Sequence, residues 1–124
     1  MTDVSDAKLE HRISKDGEVT IVGITGRMDA VRVGAVREAL AKLPEQGHKK
    51  IVLDLTELEW IDSSGVGALV VLYKNAKARG GEVLVASLQR QPREIFRLLH
   101  LDSAFELFDA VPQALARFGV AKQP

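Results

Sequence analysis

Two adjacent serines, Ser63 and Ser64, stand in the run Trp60-Ile61-Asp62-Ser63-Ser64-Gly65-Val66-Gly67. A hydroxyl in such a run can be a nucleophile or the acceptor of a transferred group. A hydrolase-type nucleophile needs glycine two residues before it and two after, and a base to take its proton. Ser63 is followed by Gly65 but preceded by Ile61, and Ser64 has Asp62 and Val66 at those places. His11, His48 and His100 fall in separate parts of the chain, without the spacing that would put two imidazoles on one helix face. His100-Leu101-Asp102 is too short a pattern to mark a site, and Gly80-Gly81 reads as a helix end and not a phosphate loop. Cysteine is absent, which leaves no thiolate ligand, catalytic thiol or disulfide. The expectation is a non-enzyme with no cofactor, no metal and no small-molecule substrate.

The acceptor reading depends on where the serines sit. An apolar run, Ile51-Val52-Leu53-Asp54-Leu55, leads up to them, and a helix-forming run leaves them. The first turn of a helix has unpaired N–H groups and the positive end of the dipole, so it tolerates anions such as a phosphate. With Asp62 as the cap, its carboxylate accepts N–H groups near Ser64 and Gly65, and the Ser63 hydroxyl lies at the open mouth. Ordinary capping explains Asp-Ser-Ser as well, so capping chemistry does not choose between a structural and a regulatory serine. Glycine inside a helix costs about 1 kcal/mol relative to alanine. Gly65 and Gly67 together therefore imply close backbone approach, either by a partner or by the adjacent strand. Val66 and Ala68 to Leu72 leave no polar face. That helix either turns apolar side chains outward, as a protein-binding surface does, or is buried on two sides.

The elements that must position this run alternate. Leu9 to Ile13 reads as a strand, Asp16-Gly17 as a hairpin turn, and Val19 to Thr25 as a central strand rich in β-branched residues. Gly26-Arg27-Met28-Asp29 reads as a turn, with Asp29 capping a helix whose stripe is Val33, Val36, Leu40 and Leu43, ended by Pro44 and Gly47. A strand over Lys50 to Leu55 follows, then a helix from Ser63 to Arg79 closed by Gly80-Gly81, and a strand over Glu82 to Leu88. Pro92 opens a third helix carrying Ile95, Phe96, Leu98 and Leu99. Phe105 to Phe108 is a short strand, and Pro112 starts a final helix reaching Phe118. The order β-β-α-β-α-β-α-β-α predicts one α/β domain: a mixed β-sheet with an antiparallel edge strand and about four helices. Residues 1–8 are expected as a flexible N-terminal segment, 9–119 as the domain, and 120–124 as a tail.

Bulk properties exclude several partners. Lys plus Arg equals Asp plus Glu at 17 each among 124 residues, and aromatics are 5% and scattered. The chain therefore lacks the basic excess of a nucleic-acid binder. The acidic, polar start is not a secretory signal, and no apolar run approaches the roughly 20 residues of a membrane span. A cytoplasmic protein with no nucleic acid and no membrane span is expected.

The strand Ile51 to Leu55 followed at short interval by Trp60-Ile61-Asp62-Ser63-Ser64-Gly65-Val66-Gly67 closely resembles the STAS-domain anti-sigma factor antagonists. Gly26-Arg27-Met28-Asp29 is similar to that family's Gly-x-x-Asp turn, and Gly80-Gly81-Glu82-Val83 and Phe96-Arg97-Leu98-Leu99 match its later elements. The resemblance spans about residues 9 to 118. It implies a STAS-like fold and partner switching. The serine after the motif's aspartate, here Ser63, would be the phosphoacceptor for a GHKL-type serine kinase that doubles as an anti-sigma factor. A PP2C-like phosphatase would reverse the modification. The unphosphorylated antagonist would hold the kinase and free its other client, typically a sigma factor. Asp29, Asp62, Ser64, Gly65, Val66, Gly67 and Leu69 would form the partner-binding surface. Arg27 departs from the pattern, since many antagonists carry an acidic residue there. The other reading the resemblance permits is a STAS subunit that is never phosphorylated, within a larger lipid-transport or stress-signalling assembly.

Overall fold

The architecture is organised by one long strand. The computed structural model describes residues 6–120. β2, Val19–Met28, is twice as long as β3, Lys50–Asp54, because it serves two neighbours on one side. Its first half is antiparallel to β1, Lys8–Ile13, and parallel to β3, with Val19 opposite Lys50 and Gly23 opposite Asp54. The hairpin closes where expected: Gly17 has φ +78°, and the Asp16 carboxylate accepts the Ser14 hydroxyl at 2.6 Å and the Glu18 N–H at 3.0 Å. β3 continues in parallel to β5, Glu82–Ala86, and β5 to β6, Glu106–Phe108, giving the order β1-β2-β3-β5-β6.

Side-chain alternation divides the core. Val22, Ile24, Ile51, Leu53, Val83 and Val85 pack on one face against α1 (Gly34–Glu45), α2 (Ser63–Ala78) and α3 (Arg90–Leu98). Val19, Ile21, Val52, Leu84 and Ala86 pack on the other against α4, Val111–Arg117. Period-two alternation with both faces covered explains why these strands read as unbroken apolar runs. Fold class, mixed sheet, antiparallel edge and four helices are all as the sequence predicts.

The main correction lies between Gly26 and Ile61. Of the expected turn Gly26-Arg27-Met28-Asp29, the first three residues are instead strand, and the chain turns only from Asp29. β2 runs on to Met28 and pairs in parallel with a sixth strand, β4, Leu58–Ile61, which sequence periodicity did not reveal. The reason is local. Gly26 adopts φ +87° and donates to the Glu57 carbonyl at 3.2 Å, and the register shifts between Gly26 and Arg27. That irregularity lets β2 leave β3 and take up β4. Helix α1 therefore starts only after a further turn, and its N-cap is Val33, not Asp29. Pro44 lies inside the last turn of α1, and the helix ends through Gly47 at φ +94° with the His48 N–H returning to the Leu43 carbonyl at 3.1 Å. Of the expected terminal segments, residues 1–5 and 121–124 lie outside the described residues. Asp6 bridges to Arg27, and Val120 is buried in the cluster that packs with α4.

β4 pairs with β2 on one edge. Its other edge meets α3, where the Gln91 side chain accepts the Ile61 N–H at 2.9 Å and donates to the Ile61 carbonyl at 2.8 Å. One amide side chain thus substitutes for a neighbouring strand. Gln91→Ala is expected to destabilise the fold by about 1–3 kcal/mol, because both backbone groups of Ile61 lose their partner. Urea denaturation measures the loss, and faster hydrogen exchange at the Ile61 amide localises it.

Candidate functional site

Strand β4 delivers the chain to α2 through Asp62, and the Asp62 carboxylate fixes the geometry there. Extended backbone at Asp62 (φ −114°, ψ −169°) ends the strand and lets the side chain fold over the first helical turn. Oδ1 accepts the Ser64 N–H at 2.8 Å and the Gly65 N–H at 3.2 Å. Oδ2 accepts the Ala30 N–H at 3.1 Å, from the turn after β2. The Asp62 N–H in turn donates to the Met28 carbonyl at 3.2 Å. Asp62 is therefore the cap the sequence predicts, and also a tie between α2 and the turn before α1.

Ser63 is the first residue of α2 and is exposed, whereas Ser64 is half-buried. The exposure separates two serines that spacing alone does not. As expected for the Asp62 cap, the amides of Ser64 and Gly65 are occupied by its carboxylate. An anion on Ser63 would gain the helix dipole but not those two donors.

The glycines divide. A Cβ on Gly65 would lie 2.5 Å from the Met28 carbonyl oxygen and 2.6 Å from Ile61 Cγ1. The close approach implied by Gly65 is thus by the domain's own strands, and Gly65, being buried, offers no side of itself to a partner. Gly67 is exposed with no heavy atom near its Cβ position, so nothing within the domain requires glycine there.

Helix α2 resolves into faces. Leu69, expected on the partner surface, is 1% exposed and belongs to the core with Ala68, Leu72 and Ala76. Val66 is half-buried against that core. The helix is buried on two sides, by the sheet and by α1, which explains its uniformly apolar first half. Ser63, Gly67 and Val71 line up at intervals of four on the free side, and Val71 is 44% exposed.

Asp29 sits in the turn beside Asp62, not at a helix start. Its carboxylate accepts the Arg32 N–H at 3.0 Å and Arg32 Nη1 at 2.6 Å, while Arg27 Nε lies 3.8 Å away. Arg32 also faces Asp6 at 3.7 Å. Burial acts to raise the Asp29 carboxyl, but the Arg32 backbone N–H, hydrogen bond and charge outweigh it and hold it below the usual aspartate range. Arg27 faces Trp60 across the β2–β4 pair, with its guanidinium 4.9 Å from the ring centroid. Sequence reading noted Arg27 and Trp60 separately but missed their contact, and missed Gln91 altogether. No spacing rule links residues brought together by a strand pairing that itself went unseen.

No group of three or more acidic or histidine side chains that could hold a metal occurs among the described residues, and no described helix is long and apolar enough to cross a membrane.

Comparison with known proteins gives a consistent result. The STAS domain family model matches residues 11–114. The anti-sigma-B factor antagonist of Bacillus subtilis is 28% identical over 86 residues, covering 69% of this chain and 78% of its own. The crystal structure of an anti-sigma factor antagonist from Mycobacterium paratuberculosis superposes with a TM-score of 0.83 at 20% identity, over 94% of this chain and 97% of that one. The Bacillus cell fate determinant SpoIIAA in its phosphorylated form gives a TM-score of 0.67 at 21% identity, over 90% and 98%.

Two outcomes follow for the site's framework. Gly65→Ala should cost about 1–3 kcal/mol, as the helix is pushed off the Met28 backbone, while Gly67→Ala should be neutral or gain up to about 1 kcal/mol. Thermal melts of the two variants check this ordering. A carboxyl whose folded value is depressed contributes its stability in full above its unfolded value, 3.8 for Asp29, and loses it as pH falls through the lower folded value. The stability difference between wild type and Asp29→Asn should therefore be constant above about pH 5 and shrink below 3.8, read from urea melts at stepped pH.

Proposed function

The chain belongs to the STAS domain family, and from that premise we propose that it is an anti-sigma factor antagonist working by partner switching. In this reading the unphosphorylated protein binds a GHKL-type serine kinase that is also an anti-sigma factor, and so releases the kinase's client. Phosphorylation of Ser63 ends the binding, and a PP2C-like phosphatase restores it. The protein is a substrate and a binding module, not an enzyme.

The observation that carries the proposal is the setting of Ser63: an exposed hydroxyl at the first residue of α2, directly after a cap whose carboxylate occupies the nearest amides. A phosphate there adds about −1.5 to −2 charges. The helix dipole returns only about 0.3–1 kcal/mol near a surface, and the Asp62 carboxylate next door repels it. The domain tolerates the charge because water can solvate it. A partner surface closing over the Ser63-Gly67-Val71 side would strip that water, and an unpaired buried charge costs roughly several kcal/mol. The switch then needs no movement of the fold.

Asp62 serves that surface by fixing where α2 begins, through the Ser64 and Gly65 amides, and Val66 by seating the helix on the core. The exposed candidates for direct contact are Ser63, Gly67 and Val71. Names of relatives such as the Bacillus subtilis anti-sigma-B factor antagonist, and of SpoIIAA solved in a phosphorylated form, support the same role.

Ser63→Ala should bind the kinase whether or not ATP is present, and Ser63→Glu should bind at least about 100-fold more weakly, a difference of roughly 2.7 kcal/mol. Calorimetric titration of both variants against the purified kinase measures this, and equal affinities would refute the switch. Mass-spectrometric mapping after incubation with kinase and ATP should place the phosphate on Ser63, with Ser64→Ala still modified.

A further inference from the structure

We propose that the stacked pair Arg27 and Trp60 is the docking point for a carboxylate on the partner protein, so that this chain selects a partner with an acidic residue facing the β2–β4 end. The proposal rests on the partner-binding reading of this end of the molecule but not on phosphorylation of Ser63. Arg27 and Trp60 are directly opposite in the parallel β2–β4 pair, and the guanidinium lies 4.9 Å from the indole centroid. Both remain accessible, at 37% for the Arg27 side chain and 38% for Trp60.

The Arg27 charge has no close internal use. The nearest carboxylate, Asp29, already receives Arg32 Nη1 at 2.6 Å and the Arg32 N–H at 3.0 Å. Arg27 reaches Asp29 only through Nε at 3.8 Å, beyond hydrogen-bonding distance. Among the described residues its two terminal nitrogens meet no acceptor. A guanidinium laid on an aromatic face keeps its donor edge free, and the fork matches a carboxylate with two parallel hydrogen bonds. The ring also restricts the side chain before binding, which lowers the entropy lost when a partner arrives. An exposed tryptophan beside an arginine has the composition of an interface anchor.

Position joins this pair to the switch. Trp60 lies three residues before Ser63. The turn following Arg27 is tied to the α2 cap by the Ala30 N–H to Asp62 bond at 3.1 Å, and Val31 in that turn is 87% exposed. A protein that closes over Ser63 and the neighbouring turn would meet Val31, Trp60 and the accessible Arg27 guanidinium.

The test uses the purified GHKL-type serine kinases of the source organism, each titrated in turn against the full chain. The variants are Ser63→Ala, Ser63→Glu, Arg27→Ala, Arg27→Gln and Arg27→Glu, each with a thermal melt. Arg27→Ala and Arg27→Gln should weaken binding about 10-fold and Arg27→Glu about 100-fold, with each variant still melting cooperatively within a few degrees of wild type. Reversing one carboxylate on the kinase to lysine should restore binding to Arg27→Glu alone. Arg27→Glu binding within about twofold of wild type overturns the proposal, as does a loss that no reversal on the kinase restores. Equal binding of Ser63→Ala and Ser63→Glu would refute the switch while the Arg27 series still reads the carboxylate contact. Binding to none of the kinases overturns both.

Discussion

The Asp62 carboxylate accepts three backbone N–H groups from two different elements, and the layout of this end of the molecule depends on it. A carboxylate acceptor makes stronger hydrogen bonds than a neutral one, and each donor here is an amide that α2 or the 29–33 turn cannot satisfy internally. Two of the bonds set where α2 begins, and so which residue is first. The third fixes the turn relative to that first residue. With the helix held there, its third residue passes over Met28 at a distance that only glycine permits, which accounts for Gly65. Cap, serine and glycine are thus one geometric unit rather than three features that happen to adjoin.

The same unit decides how a charge at Ser63 acts. Had the amides of Ser64 and Gly65 been free, a phosphate could have folded onto them, with two charge-assisted hydrogen bonds to offset its introduction. Asp62 holds both. What remains is the dipole, worth under about 1 kcal/mol at an exposed site, set against repulsion from Asp62 and the far larger cost of burying an unpaired charge. That burial cost would arise only in an interface, so a phosphate on Ser63 would be read there, with the fold nearly indifferent to it. A helix mouth that bound phosphate tightly would be a poorer switch, because it would hide the charge from the partner.

Much of this was legible in the sequence, for identifiable reasons. The cap, the strands Val19 onward and Ile51 onward, and the Gly80-Gly81 stop rest on local rules: side-chain size, β-branching, and N–H groups within three residues. Those rules work because the interactions they describe are themselves local. The strand Leu58–Ile61 was not legible, since its four residues pair with a segment 30 or so positions earlier, and Gly26-Arg27 looks like a turn when that pairing is unknown. The burial of Leu69 and the role of Gly65 were hidden for the same reason. Whether an apolar helix faces a partner or its own domain depends on what the sheet brings beside it. Gln91 carries no local signal at all, because its function is to complete the hydrogen bonds of Ile61, a residue 30 positions away.

The extension of β2 past β3 also separates stability from recognition along a single strand. Successive side chains point to opposite faces. Met28 is fully buried beneath Gly65, whereas its neighbour Arg27 stands on the outer side against Trp60. A change at position 28 would disturb the backbone on which α2 rests. A change at position 27 alters the charge shown at the surface and the contact with Trp60, while Asp29 stays held by Arg32. Packing is thus carried at position 28 and surface charge at position 27, one residue apart. In the proposed reading, Arg27 selects a partner by charge while the packing beneath α2 stays the same.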